Sequence, residues 1–293
     1  MTTAAAAGAP RRRRFFAIDQ YTAYWAMVAP AALLMAAFYF YPLVQVLWIS
    51  VTEPKPGLDN YVQLFTNLSI RRTLITTARI CVITTAVTVV LGYVVAYVLV
   101  HASPRVQRWL FLGVLVPLWI SVLVRAFAWV TLLAREGLIN TTLRDAGLID
   151  QPLALIWNEF GIVVGMVHYM IPYAVLPLYA GMRDIDMRTV AAARGLGASR
   201  LYAFRRVFLP QSLPGIIGAT VLVFIFSLGF FVTPAILGGG KTLMVAEYIS
   251  LQILDLLRWG LGTMLATSLV IFIFLLLAAL ARVVDLKRLF GAG

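Results

Sequence analysis

The chain is short of charge. Of its 293 residues, 12% are charged and 62% are apolar, whereas an ordinary soluble domain is about 25% charged and about 45–50% apolar. So few charged groups cannot cover a surface that faces water. The composition therefore excludes a soluble enzyme, a disordered chain and a fibrous protein, and an integral membrane protein is the class that remains.

Residue types that bind metals or form disulfides are scarce. Cys81 is the one cysteine, so no disulfide can form within the chain. His101 and His168 are the two histidines, and neither belongs to a cluster that would make a metal site or a catalytic triad. We therefore expect no metal, no cofactor and no catalytic residue in this chain.

Acidic residues are missing from the long apolar runs, since all twelve fall in loops or at the ends of those runs. A proton-coupled secondary transporter commonly holds a carboxylate near the middle of the membrane. An intramembrane enzyme needs a carboxylate pair or a clustered triad. Both classes stay open as alternatives, but the sequence disfavours them.

The sequence contains six long apolar runs. A transmembrane helix needs about 20 mostly apolar residues, whereas a β-barrel shows short alternating strands. We predict an all-α polytopic membrane protein with a tail at 1–22, six transmembrane helices within 23–284 and a second tail at 285–293. The predicted helices are 23–50, 74–100, 109–133, 158–182, 212–236 and 260–284.

Lysine and arginine are unevenly divided between the two sides of this domain. The N-terminal tail, the loops after the second and fourth spans and the C-terminal tail hold 15 of them, and the other three loops hold 7. Basic residues concentrate in the cytoplasmic loops of membrane proteins. Both termini are therefore predicted to be cytoplasmic, and the net charge of +12 needs no nucleic-acid partner.

Three basic side chains lie within the predicted spans and away from their ends: Arg79, Arg125 and His168. Arg125 is 16 residues beyond Trp109, about 24 Å along a straight helix, so we expect both arginines in the outer part of the membrane. Three roles are open for each arginine: it reaches the outer headgroups, it lines a cationic vestibule, or it locks two helices together. A structural role is favoured over a role in the pathway. His168 either lines a pathway or makes a helix–helix hydrogen bond.

Two outer segments are predicted to be structural. Residues 243–257 are too short and too charged to span a membrane, and their pattern favours an amphipathic helix at the outer interface. Residues 238–242 resemble the end of a phosphate-binding loop, but Ala235 stands where that loop requires glycine. We interpret these glycines as a flexible turn and expect no nucleotide site.

The longest predicted cytoplasmic loop, 183–211, has a pattern of two short helices. A good helix-forming segment ends at Arg194, and the two glycines at 195 and 197 allow a sharp turn. Ser199 is placed to cap a second helix, and Pro210 is expected to stop that helix or redirect it.

The second short helix carries an apolar face. Leu201, Phe204 and Phe208 are spaced at i, i+3 and i+7, with Arg205 and Arg206 beside them. An apolar face held clear of the bilayer is what the groove of a partner protein binds.

Residues 191–210, AAARGLGASRLYAFRRVFLP, resemble the EAA loop of ABC importer permeases, which has the pattern E-A-A-x3-G-x9-I-x-L-P. Val207 replaces the isoleucine and Ala191 replaces the leading glutamate. Residues 123–129 and 137–140 are similar to segments of the spermidine/putrescine permease branch. The positions that match the EAA pattern are Ala192, Ala193, Gly197, Leu209 and Pro210.

This resemblance implies the fold of a type I ABC importer permease in a bacterial inner membrane. It implies that two permease subunits, identical or paralogous, form the pathway in the lipid. Two ATPases each grip one coupling loop and hydrolyse ATP, and a periplasmic binding protein delivers the solute. We call residues 183–211 the coupling loop. Its implied functional residues are Ala192, Ala193, Gly197, Ser199, Leu201, Phe204, Arg205, Arg206, Leu209 and Pro210.

Two finer expectations concern the ATPase contact and the solute. We expect Leu201 and Phe204 to insert into a groove of the ATPase, with Arg205 or Arg206 at its rim. The resemblance favours a polyamine as the solute. Few acids and two arginines near the expected outer mouth leave an anionic or amino-acid-like solute open as the alternative.

Overall fold

The computed structural model describes residues 20–283, and the tails at 1–19 and 284–293 lie outside the described residues. Within this range the chain is helical, as predicted. The helices are α1 (Gln20–Met35), α2 (Tyr41–Thr52), α3 (Asp59–Thr66), α4 (Leu68–His101), α5 (Pro104–Trp119), α6 (Val122–Leu133), α7 (Leu138–Asp145), α8 (Glu159–Arg183), α9 (Met187–Gly195), α10 (Arg200–Ala203), α11 (Leu209–Leu228), α12 (Val232–Gly238), α13 (Val245–Ser250) and α14 (Trp259–Val283). Two π-helical turns join neighbouring helices, at Ala36–Phe40 and Phe204–Phe208, and a third, Leu251–Asp255, extends α13.

Five segments among the described residues are long and apolar enough to cross a membrane as single helices, and a bent pair of helices makes a sixth span if the pair counts as one. This agrees with the predicted polytopic all-α fold. The five are Tyr24–Thr52, Leu68–His101, Glu159–Arg183, Arg200–Leu228 and Trp259–Arg282.

The third span is not the continuous helix predicted over 109–133. The chain bends by 101° between α5 and α6, because Ile120 and Ser121 adopt non-helical backbone angles. Pro117 lies in the last turn of α5, where its ring lacks an N–H and crowds the preceding turn. Chain length and hydropathy are the same for a bent span and a straight one, so the apolar run did not reveal the break.

The fifth span also differs from the prediction of 212–236. It ends earlier, at Leu228, and α12 is a separate short helix after Gly229. It begins earlier too, because Pro210 does not stop the helix: Arg200–Leu228 reads as one helical span. A π-helical turn directly precedes the proline, with the Leu209 N–H donating to the Phe204 carbonyl. Pro210 then sits in the first turn of α11, where its missing N–H costs little.

Helices α4, α8 and α11 form the centre of the bundle. Small residues let their backbones approach closely, as is usual between transmembrane helices. A Cβ added at Gly181 would lie 3.2 Å from the Cα of Gly215, and one at Gly92 would lie 2.9 Å from the Cβ of Ala174. Substituting these glycines would therefore push the three central helices apart.

A second core cluster lies at the ends of these helices that are remote from residues 183–211. It contains Ile80, Cys81 and Met166, with Leu237 of α12 packed among them. Burial of the free Cys81 agrees with its interpretation as a packing residue. The N–H of Val245 donates to the Thr77 hydroxyl at 2.8 Å, which anchors the short α13 to α4. Residues 243–257 thus include a short helix, as predicted.

Contacts divide the chain at Trp48, and residues 20–48 form a unit of their own. This unit is helical, and its large apolar side chains are exposed, among them Trp25, Leu33 and Phe38. Exposed apolar rings and chains on a helix that can span the membrane suit contact with lipid.

Candidate functional site: the coupling loop and the polar residues of the bundle

The first arm of the coupling loop is α9, which begins one residue after a side-chain cap. The Asp186 carboxylate accepts a hydrogen bond from the N–H of Arg188 at 2.9 Å. The hydroxyl of Thr189 donates to the Asp186 carbonyl at 2.7 Å. The helix therefore has a fixed start, and its predicted extent to Arg194 is confirmed to within one residue.

A tight turn at Gly197 separates the two arms. Gly197 has φ +91°, a conformation that side-chain-bearing residues rarely adopt. The N–H of Ala198 donates to the carbonyl of Ala193 at 3.1 Å, and the N–H of Gly197 donates to that of Arg194 at 3.0 Å. These bonds close the C-terminus of α9 in the pattern of a Schellman motif. The turn needs Gly197, whereas Gly195 lies within the helix.

The second arm is α10, and Ser199 caps it as predicted. Its hydroxyl accepts a hydrogen bond from the N–H of Tyr202 at 3.2 Å. Because α10 continues through the π turn into α11, the second arm is the N-terminal end of the fifth span. A force applied to α10 therefore acts on a transmembrane helix without an intervening loop.

The inward face of this arm packs on the protein itself. The Tyr97 ring of α4 contacts Phe204 and Phe208 edge-on, with centroids 5.7 and 5.4 Å away. Phe204 also meets Tyr93 at 6.3 Å, and the His101 ring lies 5.9 Å from Phe208. The insertion of Phe204 into a partner groove stays a prediction, since its ring packs on α4 but is only partly buried. We call Tyr93, Tyr97, Phe204 and Phe208 the aromatic base.

The outward face consists of residues on the turn and on the start of α10. Leu196 is 91% exposed, and Leu201 and Tyr202 are each 58% exposed. Beside them lies a depression of about 490 Å³. Leu196 and Tyr202 were missed in the sequence, because the i, i+3, i+7 pattern selected Leu201 together with two residues of the inward face. We call Leu196, Leu201 and Tyr202 the apolar tip. The depression is lined by Ala193, Leu196, Gly197, Ala198, Ser199 and Tyr202.

The remaining predicted coupling residues lie around these two faces. Arg205 and Arg206 are exposed, which agrees with a place at a rim. Ala192 is exposed on α9, whereas Leu209 is partly buried at the start of α11. Exposed charges of this kind contribute little to affinity and more to association rate.

Arg79 makes a locking contact. Its guanidinium forms an ion pair with Glu159, the first residue of α8. The pair bridges α4 and α8, and because both side chains are partly exposed it contributes little free energy. Among the three roles considered for this arginine, the structure favours the helix lock.

His168 is engaged between helices. The indole N–H of Trp129 on α6 donates to Nδ1 of His168 on α8 at 3.1 Å. This is the helix–helix hydrogen bond that was one of the two predicted roles. Within residues 20–283, no group of three or more His, Cys, Asp or Glu side chains could hold a metal ion.

Arg125 is a buried arginine whose guanidinium packs on an aromatic ring. It is 8% exposed, and its guanidinium lies 4.3 Å from the centroid of the Tyr169 ring. Tyr169 is near the middle of the 25-residue α8, so Arg125 is deeper in the bundle than its expected outer position. The bend before α6 explains the difference, because the chain does not continue outward in a straight line.

A known family accounts for this architecture. Residues 88–289 match the family described as "Binding-protein-dependent transport system inner membrane component". The chain belongs to this family, and is a multi-pass inner-membrane transport component rather than an enzyme.

Individual relatives are 28–32% identical to the chain over the aligned residues. The spermidine/putrescine transport system permease protein PotB of Escherichia coli (strain K12) is 32% identical over 220 residues, which cover 75% of this chain and 80% of that protein. PotB of Haemophilus influenzae is 30% identical, covering 75% and 77% of the two chains. The inner membrane ABC transporter permease protein YdcU of E. coli is 28% identical, covering 68% and 70%.

Solved structures show the same fold. A chain of a bacterial alginate ABC transporter, in complex with an alginate pentasaccharide-bound periplasmic protein, superimposes with a TM-score of 0.72. The overlap covers 91% of this chain and 96% of that one, at 16% sequence identity. The predicted fold of an ABC importer permease is therefore confirmed.

Proposed function

We propose that this chain is one permease subunit of an ATP-driven importer and forms the translocation pathway with a second permease subunit. A periplasmic binding protein delivers the solute, and two cytoplasmic ATPase subunits supply the energy. The observation that carries the ATPase part is the coupling loop: an apolar tip held out by a capped helix and a tight turn, on the end of a transmembrane helix. The apolar tip binds in a groove on the ATPase.

The proposed mechanism uses the rigidity of the second arm. Movement of the ATPases displaces the apolar tip, and α10 passes the displacement directly to α11. The aromatic base passes the same displacement to α4, which packs on α8 and α11. Coupling requires that ATP and the loaded binding protein favour the same arrangement of these helices.

The proposed topology places both termini and the coupling loop in the cytoplasm. The division of lysine and arginine, 15 against 7, supports it. Reporter fusions at each terminus test it: we expect a cytoplasmic signal from both, and a periplasmic signal from either would contradict the topology.

The proposed solute is a small aliphatic amine of the polyamine kind. Similarity to the PotB proteins supports it. Aromatic rings in the bundle are suited to ammonium groups, for example Tyr169 and Tyr173, whose ring centroids are 5.8 Å apart.

Reconstitution tests the proposed function. The complex of both permeases and the ATPases, placed in liposomes with the binding protein, should accumulate labelled putrescine or spermidine only when ATP is supplied. The matched control is Gly197→Asp, which should insert and assemble in the membrane but lose ATP-dependent uptake. Uptake without ATP, or wild-type uptake by Gly197→Asp, would contradict the proposal.

A further inference from the structure

The break in the third span leaves the start of a helix inside the membrane domain. α6 begins at Val122, after the non-helical residues Ile120 and Ser121. Ser121 stands at the N-cap position but makes no side-chain capping bond. The first N–H groups of a helix point outward and carry partial positive charge, so this end of the 12-residue α6 favours an anion. Discontinuous helices of transporters bind the carboxylates of their solutes in this way.

Arg125 adds a full positive charge to the same helix end. It is the fourth residue of α6, and helical side chains lean towards the N-terminus, so its guanidinium is directed back to the break. The side chain is buried, yet neither Nε nor Nη1 makes a hydrogen bond within residues 20–283. A buried charge without a partner costs several kcal/mol. Both features, the helix start and the buried guanidinium, belong to the first four residues of α6.

The neighbouring side chains do not neutralise this charge. The Tyr169 ring lies beneath the guanidinium at 4.3 Å, and a ring face stabilises a cation without using its N–H groups. Nδ1 of His168 already accepts from Trp129. Among the described residues the ion pairs are Arg79–Glu159 and Arg144–Glu136, neither of which includes Arg125. The site thus has planar donors for a carboxylate and no carboxylate of its own.

We infer that Arg125 and the first turn of α6 form a binding site for a carboxylate of the transported solute. This inference rests on the proposed function and refines it: among aliphatic amines, the pathway favours those that also carry a carboxylate. The Tyr173 ring, which is stacked on Tyr169, lies next to the site, where it can contact the amine end. Arg125 is then a specificity-determining residue, and a bare diamine lacks the group that it binds.

A matched pair of small molecules tests this inference. Ornithine and putrescine have the same chain of carbons between two amines and differ by one carboxylate. The full importer complex in lipid nanodiscs, without binding protein, is heated with each compound and its unfolding temperature is recorded. Ornithine should raise the unfolding temperature of the wild type, and putrescine should raise it less.

Substitutions assign the effect to the guanidinium. Arg125→Gln should reduce the apparent affinity for ornithine roughly tenfold or more, because a hydrogen-bonded charge is lost. Arg125→Lys keeps the charge but lacks the planar guanidinium, so its apparent affinity for ornithine should lie between those of the wild type and Arg125→Gln. The control is Arg144→Gln, at an exposed arginine that is paired with Glu136. It should respond to ornithine as the wild type does.

Three results would overturn the inference. The first is an equal response to ornithine and putrescine, or no response to ornithine, in the wild type. The second is an unchanged ornithine response in Arg125→Gln. The third is loss of the second permease subunit from Arg125→Gln on purification, with the ornithine response retained, which would show that the arginine binds a carboxylate of that subunit. ATP hydrolysis by the same nanodisc complexes separates these failures from a failure of the proposed function, since it reports ATPase assembly independently of the solute.

Discussion

The inward and outward faces of the second arm of the coupling loop have similar composition but different partners. Phe204 and Phe208 point inward and pack on Tyr97 of α4. Leu201 and Tyr202, on the same short helical segment, point outward and remain exposed. The comparison shows that aromatic character does not mark the docking residue, since the buried rings hold the arm to the bundle. This difference between the two faces can be tested with variants of each face, by measuring both the stability of the fold and the affinity for the ATPase.

The largest expected effect is on the inward face. Phe208 is 2% exposed, so Phe208→Ala should lower the free energy of unfolding by about 3–5 kcal/mol. Thermal unfolding of the purified permease in detergent measures this loss. The matched control is Leu196→Ala on the exposed tip, which should unfold at the wild-type temperature. Equal stability of the two variants would show that the aromatic base does not hold the arm.

The second effect is on ATPase binding by the outward face. Tyr202→Ala should weaken the affinity for the ATPase by about 2 kcal/mol, roughly thirtyfold, because an exposed aromatic anchor is removed. Its own unfolding temperature should not change. Arg206→Ala, at the rim, should lose less affinity than Tyr202→Ala. Pull-down of the ATPase at graded concentrations gives both values, and a larger loss from Arg206→Ala would reverse the assignment of the tip.

The third effect concerns the turn that joins the arms. Gly197→Ala should destabilise the coupling loop by about 1–2 kcal/mol, because alanine is strained at φ +91°. Gly195→Ala is a well-matched control: an added Cβ has free space at both positions, and only Gly197 has a positive φ. Hydrogen exchange of the α9 and α10 amides should rise in Gly197→Ala and not in Gly195→Ala. The same exchange in both variants would contradict the role of the turn.

The smallest effect is on the cap of α10. Ser199→Ala should cost about 1 kcal/mol, because the N–H of Tyr202 loses its acceptor. Ser199→Asp restores an acceptor and should restore stability. Amide exchange at Tyr202 measures the change, and a rate that does not differ between the two variants would show that the cap is not used.

Much of the fold follows from local patterns in the sequence. Apolar runs of sufficient length predicted the spans near 74–100, 158–182 and 260–284, and the glycine and serine chemistry of the coupling loop predicted its turn and cap. These features depend on residues close together in the chain, so one sequence is enough to find them.

Features that depend on distant contacts were not predictable. Whether Phe204 faces a partner or α4 depends on Tyr97, more than a hundred residues away in the chain. A π-helical turn shifts the facing of later residues, so the spacing from Leu201 to Phe208 no longer marks one face of a helix. The depth of Arg125 depended on a bend that length and hydropathy do not encode.

Thiol labelling gives the most direct test of the central claim, that the apolar tip rather than the aromatic base contacts the ATPase. The one native cysteine, Cys81, is buried, so Leu201→Cys, Tyr202→Cys and Phe204→Cys each add one candidate accessible thiol. Maleimide labelling of each variant is measured with and without bound ATPase. We predict that the thiols at 201 and 202 are labelled when the ATPase is absent and protected when it is bound, and that the thiol at 204 is labelled slowly in both states. Protection at 204 with unchanged labelling at 201 and 202 would contradict the account.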